Sequence, residues 1–481
     1  MNNFLTLSID KQSSVTLVEQ LMQAFQLAIR SKHFPPGGKL PSIRRCAQMC
    51  QVSASTVVIV YDQLIAEGLI KSIPGSGFFV IDKPMNYVND QQKNQKAADF
   101  PIDDYWLLTN VYYSHTSYSH FGCGWLPSDW YPNNDLSRAL RAVARQNISA
   151  NGYGEPQGFS PLREYLSGYL SDRSLYAAPD NILLTQGASR ALDIISAAFL
   201  ESGDTVLVDE PGYCNFLTSL LMKGVRAIGI PWTDQGPDIS VMEKLIKKHR
   251  PKLYFTNPWL HNPTGTCMSL NVAYQVLMIA EQQGIKIVED HVSGDLMPPN
   301  SVTLASLGGL ERVIHISSYS KTLSPSLRVG YVVADVPTIN RLTQYKMMSG
   351  LTSSEFVERI VLSLLKEGHY HKSLEKLRAK LALAQAEVGR FLQELGWELF
   401  IQPKNGFYIY AKPRGSKMDA QTLAERAKKD GLIFAPGYLF HPQHMRSPWI
   451  RFNVAYSLTH KNILISFLKS EDCIRICNGN N

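Results

Sequence analysis

No apolar run in this 481-residue chain approaches the roughly 18 consecutive residues that a membrane-spanning helix needs. The opening MNNFLTLSIDKQ lacks the basic start and apolar core of a secretory leader. Both absences point to a protein that stays in the cytosol, with no membrane partner. Cysteine is sparse: seven residues, at 46, 50, 123, 214, 267, 473 and 477. An odd number without a regular framework argues against a disulfide-stapled scaffold and for reduced thiols. Cys46 and Cys50, like Cys473 and Cys477, stand four apart and can share a helix face. No His or Cys partner set lies near either pair, so no metal site is expected. Charge of one sign is not in great excess either. The net charge is +7, and residues 1–82 carry seven Lys/Arg against five Asp/Glu. Bulk charge permits an anionic partner without singling one out. No internal repeat is visible.

What is present suits a large soluble core: 44% hydrophobic and 19% charged residues, in a chain long enough for two or three domains. KPMNYVNDQQKNQKAAD, 83–99, is rich in Asn, Gln and Lys and almost empty of large aliphatics. It cannot bury a face and reads as a linker. We draw the linker at 83–104, between an N-terminal domain, 1–82, and a C-terminal domain, 105–481.

The first domain reads as mostly helical. LVEQLMQAFQLAIRS, 17–31, places Leu17, Leu21, Phe25 and Ile29 at helical spacing. PPGG, 35–38, breaks that helix. Ser42 can cap a second helix, IRRCAQMC, and a third, SASTVVIVYDQLIAEG, can be closed by Gly68. LIKSIPGSGFFVI, 69–81, is two β-runs around PGSG, a hairpin. This is the order of a winged helix-turn-helix. A recognition helix opens with small polar residues, which reach base edges and phosphates; here they are Ser53, Ser55 and Thr56. Ser53 can equally serve as the helix cap. Arg44 and Arg45 on the preceding helix suit backbone phosphates, and the tip Gly75-Ser76-Gly77 can approach a minor groove. The combination LPSxR, VSxSTV, YxxLxxEGxI and GSGxFV resembles the GntR-type winged helix. That resemblance implies binding to a double-stranded DNA operator. Ala54 stands where GntR members often carry Arg or Lys between the two hydroxyls, which affects the operator sequence more than DNA binding.

Beyond the linker, NILLTQ, DTVLVDE, VRAIGI, KLYFTN, IKIVED and RVIHIS are short apolar runs, several of them separated by helical stretches. This is an α/β pattern with a mainly parallel sheet. A long helical stretch, 353–395, and a small α+β portion complete the chain. Motifs at the ends of the β-runs meet the demands of an aldehyde cofactor with a phosphate arm. Lys321 in SSYSKTLSPSLRVGY, 317–331, is an amine for a Schiff base. Asp290 can hold a ring nitrogen protonated. Gly187-Ala188-Ser189 opens a helix as an anion cup, with Ser318, Ser320 and Arg328 beside it. Tyr213 suits ring stacking, and Asn262 can donate to a phenolic oxygen. Taken singly, each has a plainer use: a helix start, a turn, a cap, a surface lysine, an ion-pair partner. The ordered set, at strand ends where open α/β sheets bind ligands, is what points to a site.

That set, with YGEPQGFSPLREYL (153–166), NGFYIY (405–410), IFAPGYLF (433–440) and WIRFNVAYS (449–457), resembles the fold-type I aminotransferases. The resemblance implies pyridoxal 5'-phosphate as cofactor. It makes Lys321 the Schiff-base lysine, pairs Asp290 with the pyridine nitrogen, and gives the phosphate to Ala188, Ser189, Ser318 and Arg328. It sends Tyr153 to the phosphate of a neighbouring subunit, hence a homodimer, and gives an effector's α-carboxylate to Arg451. The family has a tyrosine three residues past the aspartate, and here that place holds Ser293, which weakens the case for efficient transamination. His291 stands nearby. Winged helix, linker and aminotransferase-like domain together resemble the MocR-type regulators. That implies a bacterial transcription regulator that senses pyridoxal phosphate, or an amino compound bound as an aldimine. Two alternatives remain: a working aminotransferase with an attached DNA-binding domain, and a vitamin B6 sensor that needs no amine.

Overall fold

The computed structural model describes residues 15–31, 33–81, 118–146, 152–298, 301–366, 368–403, 405–415, 418–470, 473 and 476–477. The chain divides into two compact units, Met1–Phe100 and Pro101–Asn481. The linker expected at 83–104 lies outside the described residues.

In the first unit, α1 (Leu17–Arg30) starts at a capping box. The Thr16 side chain accepts from the Glu19 amide while the Glu19 side chain returns to Thr16. Its buried stripe is Leu21, Phe25 and Ile29. Ser42 caps α2 (Ile43–Cys50) and Ser53 caps α3 (Ala54–Ala66), with Gln51 left-handed at φ 52° in the turn between them. Val57, Val60, Tyr61 and Leu64 of α3 are fully buried, and the Tyr61 hydroxyl donates to the Pro41 carbonyl at 2.8 Å. Strands β1 (Ile70–Ile73) and β2 (Gly77–Val80) form the antiparallel wing. Gly75 at its tip has φ 75°, a conformation that glycine adopts without steric cost. Among the described residues no single helix is long and apolar enough to cross a membrane. One bent pair passes by length and composition, and it is α2 with α3, whose apolar side chains fill this unit's own core.

The second unit is built on an eight-stranded sheet. Its strands are β3 (Ile182–Thr185), β4 (Thr205–Glu210), β5 (Arg226–Thr233), β6 (Gly236–Pro237), β7 (Leu253–Thr256), β8 (Lys286–Asp290), β9 (Val313–Ser318) and β10 (Gly330–Val333). Their spatial order is β3-β10-β9-β8-β7-β4-β5-β6. Strands β5, β4, β7, β8 and β9 run parallel, and β10 is antiparallel to both β9 and β3. The strands are apolar on both faces because both faces are covered. Leu183, Val206, Val208, Phe255, Val288 and Ile316 pack into one layer, and Leu184, Leu207, Tyr254 and Ile287 into the other. A smaller antiparallel sheet, β11 (Trp397–Leu399), β12 (Tyr408–Pro413), β13 (Ala435–Pro436) and β14 (Ile450–Asn453), follows in the order β11-β12-β14-β13. The stretch 353–395, expected as one helical stretch, is two helices, Glu355–Lys366 and His369–Glu394. Gly368, left-handed at φ 69°, begins the second one.

Candidate functional site

Strands β3, β7, β8 and β9 deliver their C-terminal ends to one edge of the large sheet. There a cleft of about 540 Å³ is lined by Ala188, Ser189, Tyr213, Asn262, Asp290, Ser318, Ser320, Lys321, Arg328 and Arg451. Ten side chains singled out from the sequence are thus brought together. Gly187 sits directly behind them: a Cβ there would lie 2.7 Å from Arg328 Nη2, and its φ of 85° also favours glycine. Tyr153 is not part of this cleft. It is 83% exposed and lines a separate surface cavity with Gly154, Gln186 and Ser353.

Lys321 ends a short 3-10 turn, Tyr319–Lys321, that follows β9. It is not the solvated surface lysine that its type would suggest. Burial pushes its amine down to about 8, with Arg451 adding to the effect, and Nζ donates to the Gly124 carbonyl. Asp290, at the end of β8, is buried. Its Oδ1 accepts from the Val292 amide at 3.1 Å. Burial raises its carboxyl to about 6, against the Val292 bond and the Lys321 charge. A buried acid at a strand end with lone pairs to spare suits a cationic ring N–H.

The residues expected to form an anion cup stand together. The helix Ala188–Phe199 begins here, and the first amides of a helix have no partner within it. Arg328, left-handed at φ 50°, is steered by bonds from Nη2 to the Gln186 carbonyl at 3.1 Å and from Nη1 to Ser320 Oγ at 3.5 Å. Ser318 Oγ donates to the Val329 carbonyl at 3.0 Å and meets Ser320 Oγ at 3.0 Å.

Arg451 on β14 is 3% exposed and lies between the rings of Tyr408 and Phe440, 4.6 and 4.9 Å from their centroids. Its Nη1 donates to Asn262 Oδ1 at 2.7 Å and its Nη2 to the Gly122 carbonyl at 2.5 Å. Its Nε has no hydrogen-bond partner. Since Asn262 turns its oxygen to Arg451, its Nδ2 is the side left to donate to something else.

Ser293 is 4% exposed and lines the cleft beside Val292, so neither position carries a ring hydroxyl. His291 is not among the residues that line the cleft. Its ring packs 5.0 Å from that of His315, and burial, with the His315 charge, lowers it to about 4. It is a neutral residue beneath the site.

Sequence reasoning missed the wall formed by Gly122, Cys123, Gly124 and Trp125, and also Asn257 and Tyr408. The GCG triplet carried a signal, since a Cβ at Gly122 would sit 2.3 Å from the Ala435 amide nitrogen. Asn257 had none. It accepts from the Asn262 amide at 2.7 Å and donates to the Asp290 carbonyl at 2.7 Å, which ties two cleft residues together.

In the first unit, the three hydroxyls at the start of α3 form one cluster. Ser53 Oγ lies 2.8 Å from Ser55 Oγ and 2.7 Å from Thr56 Oγ1, and it accepts from the Thr56 amide at 3.1 Å. Ser53 therefore does cap α3. Arg44, Arg45, Gly75 and Ser76 are exposed, and Gly77 is half-buried.

Residues 125–465 match the family described as aminotransferase class I and II, and residues 17–80 match bacterial regulatory proteins of the gntR family. The uncharacterized HTH-type transcriptional regulator YdfD of Bacillus subtilis is 29% identical, over 93% of this chain and 94% of its own length. The HTH-type transcriptional regulator NorG of Staphylococcus aureus is 26% identical over 84% and 92%. The 2-aminoadipate transaminase of Thermus thermophilus is 30% identical over 65% of this chain and 80% of its own. Among solved structures, the kynurenine aminotransferase of Pyrococcus horikoshii superposes with a TM-score of 0.70 at 24% identity. It covers 79% of this chain and 98% of its own, and the likeness is one of fold.

Proposed function

The chain belongs to the class I and II aminotransferase family, joined to a GntR winged helix as a MocR-type transcription regulator, and we propose that its large domain holds pyridoxal 5'-phosphate and reports an amino compound to DNA. The observation that carries this is the pair of half-buried Lys321 and buried Asp290, set at adjacent strand ends beside the residues proposed as an anion cup. The donor set fits the cofactor. Arg328, Ser318, Ser320 and the amides of Ala188 and Ser189 take the phosphate, with Gly187 leaving the guanidinium its room. Asp290 keeps the ring nitrogen protonated, Asn262 donates to the phenolic oxygen and Tyr213 stacks on the ring. Bound there, pyridoxal phosphate supplies an aldehyde for amines and a ring that draws in electrons.

The residues divide the remaining work. Lys321, with its amine pushed down to about 8, is largely neutral a little above that pH and so can act as a nucleophile. Arg451, buried between two rings with Nε unpartnered, takes the effector's carboxylate. No ring hydroxyl stands at Val292 or Ser293 to steady the phenolic oxygen, which favours binding and reporting over turnover. Tyr153, exposed and off its own cleft, serves the phosphate of a second copy, so the working unit is a homodimer. Arg44, Arg45, the hydroxyls of Ser53, Ser55 and Thr56, and the wing tip Gly75-Ser76-Gly77 meet an operator in double-stranded DNA, which sets the protein in the cytoplasm.

The test joins spectroscopy to DNA binding. Purified protein mixed with pyridoxal phosphate gains a visible absorbance band and a borohydride-trapped adduct, and both vanish in Lys321→Ala. An adduct that survives unchanged in that variant refutes the assignment. Amino acids that alter the band are then expected to alter operator affinity too. DNA affinity that responds to the cofactor alone identifies a vitamin B6 sensor, and steady keto-acid release identifies an enzyme.

A further inference from the structure

Lys321 is held from behind. Tyr319, two residues before it, and Thr322, the residue after it, both pack on Tyr370, in the first turn of the helix His369–Glu394. The Tyr319 and Tyr370 rings meet edge to face, with centroids 6.0 Å apart at 74°. Thr322 Oγ1 lies 2.9 Å from Tyr370 Oη, and Tyr370 Oη donates to Asp295 Oδ2. A phenol has one proton. With that proton on the carboxylate, Thr322 must be the donor in its bond to Tyr370. Asp295 stands five residues past Asp290 and is itself fixed: Oδ1 accepts from Tyr169 Oη at 2.6 Å, and its carbonyl accepts from Arg378 Nη2 at 2.6 Å. Tyr370 and Thr322 are each 2% exposed, so the bond between them is shielded from competing water.

Farther along the same helix, Gln385 is 1% exposed. Its Nε2 donates to the Gly406 and Tyr408 carbonyls, both at 3.1 Å. Tyr408 lines the opposite wall of the cleft, and β12, which carries it, pairs with β14 at Tyr410 and Arg451. One helix thus grips the Lys321 turn at its start and the Arg451 wall further along.

We propose that Tyr370 is a positioning residue for Lys321, its hydroxyl setting the turn so that the amine is aimed into the cleft. The proposal rests on the assignment of pyridoxal phosphate to this cleft. Tyr370→Phe keeps the ring and removes only the hydroxyl. Thr322→Val removes the other partner of the same bond and keeps the side-chain shape. The amine titrates against Arg451, Cys123, Asp290 and Arg328, and a loosened turn lets it reach water.

The readouts are the dissociation constant for pyridoxal phosphate and the pH midpoint of adduct formation, measured on the full chain, with thermal melting alongside. Both variants are expected to bind pyridoxal phosphate roughly three- to tenfold more weakly. The midpoint is expected to move up by about half a unit or more, toward that of a hydrated amine. Ser167→Ala is the control. It deletes another hydroxyl-to-carbonyl bond, to Ala177 at 2.6 Å, and is expected to change melting alone. A folded variant of either kind that melts lower but keeps the wild-type constant and midpoint overturns the proposal. If Tyr370→Phe does not fold, Thr322→Val decides alone. A wild-type protein that never gains the band overturns the cofactor assignment, whereas a wild-type band unchanged in both variants overturns only the role of Tyr370.

Discussion

Arg451 and Asn262 share a hydrogen bond of 2.7 Å, Nη1 to Oδ1, across the cleft between the small sheet and the end of β7. The residue proposed to take a carboxylate is therefore bonded to the residue proposed to face the cofactor's phenolic oxygen. A ligand drawing on Arg451 acts on both.

Arg451→Ala is expected to weaken amino acids far more than amines that lack a carboxylate. Hydrogen bonds to charged groups contribute roughly 1.5–3 kcal/mol, so the loss is about 10- to 100-fold in affinity. Titration of the visible band with matched pairs of ligands measures it. Equal losses for both ligand classes would mean that Arg451 supports the cleft rather than reading the carboxylate.

Lys321 gives a pH signature. Its amine sits near 8 instead of the ordinary 10.5, because burial and then the Arg451 charge disfavour the cation. Adduct formation with pyridoxal phosphate is expected to speed up with pH to a midpoint near 8 and then level off. The sign for stability follows from the same shift. The folded value lies below the unfolded one, so the cofactor-free fold gains stability as pH rises from about 8 to 10.5. A rate that keeps climbing to the ordinary lysine range contradicts the buried placement.

Glu289 is a fully buried carboxylate next to Asp290 on β8. It accepts from Trp259 Nε1 at 3.0 Å, His315 Nδ1 at 2.9 Å and the amides of Leu304 and Ala305 at 2.8 and 3.2 Å. Burial alone would raise its carboxyl, but the His315 bond and charge and the other donors outweigh it and hold the group at about 2. Its stabilising contribution is present above the ordinary 4.5 and is lost as pH falls toward 2. Glu289→Ala strands four buried donors and is expected to cost about 3–5 kcal/mol in urea unfolding at neutral pH. A cost below about 1 kcal/mol, the level of an ordinary substitution, counts against this account.

Much of this architecture was legible in the sequence because it rests on local rules. The cap at Ser42, the glycines of the wing and the fully apolar β-runs each act over a few residues, and each formed where expected. The cleft was legible through its strand-end motifs, since a β-run followed by Asp290, or by Lys321 among hydroxyls, is itself a chemical statement. What stayed hidden depends on long-range pairing. The wall at Gly122–Trp125 meets Lys321 from about two hundred residues away in the chain, and no periodicity encodes that approach. Asn257 and Tyr370 are ordinary residues in ordinary segments, and only the fold gives them Asp290 and Thr322 as partners. The break at Gly368 within 353–395 was overlooked because helical periodicity runs on both sides of it.

The DNA-binding unit makes a prediction that separates holding from reading. Arg44 is exposed on α2, the helix before the recognition helix, where a guanidinium meets phosphate rather than base edges. Each phosphate contact releases about 0.9 counterions, so Arg44→Ala is expected to lower the slope of log K against log salt by about that amount. It is expected to weaken operator and random DNA alike. Ser55 belongs to the hydroxyl cluster at the start of α3, so Ser55→Ala is expected to leave the slope unchanged and reduce the preference for the operator. Fluorescence anisotropy at several salt concentrations, on operator and scrambled duplexes, measures both. If Arg44→Ala keeps the wild-type slope, Arg44 is not a phosphate contact. If Ser55→Ala lowers the slope without touching the preference, Ser55 holds a phosphate and does not read bases.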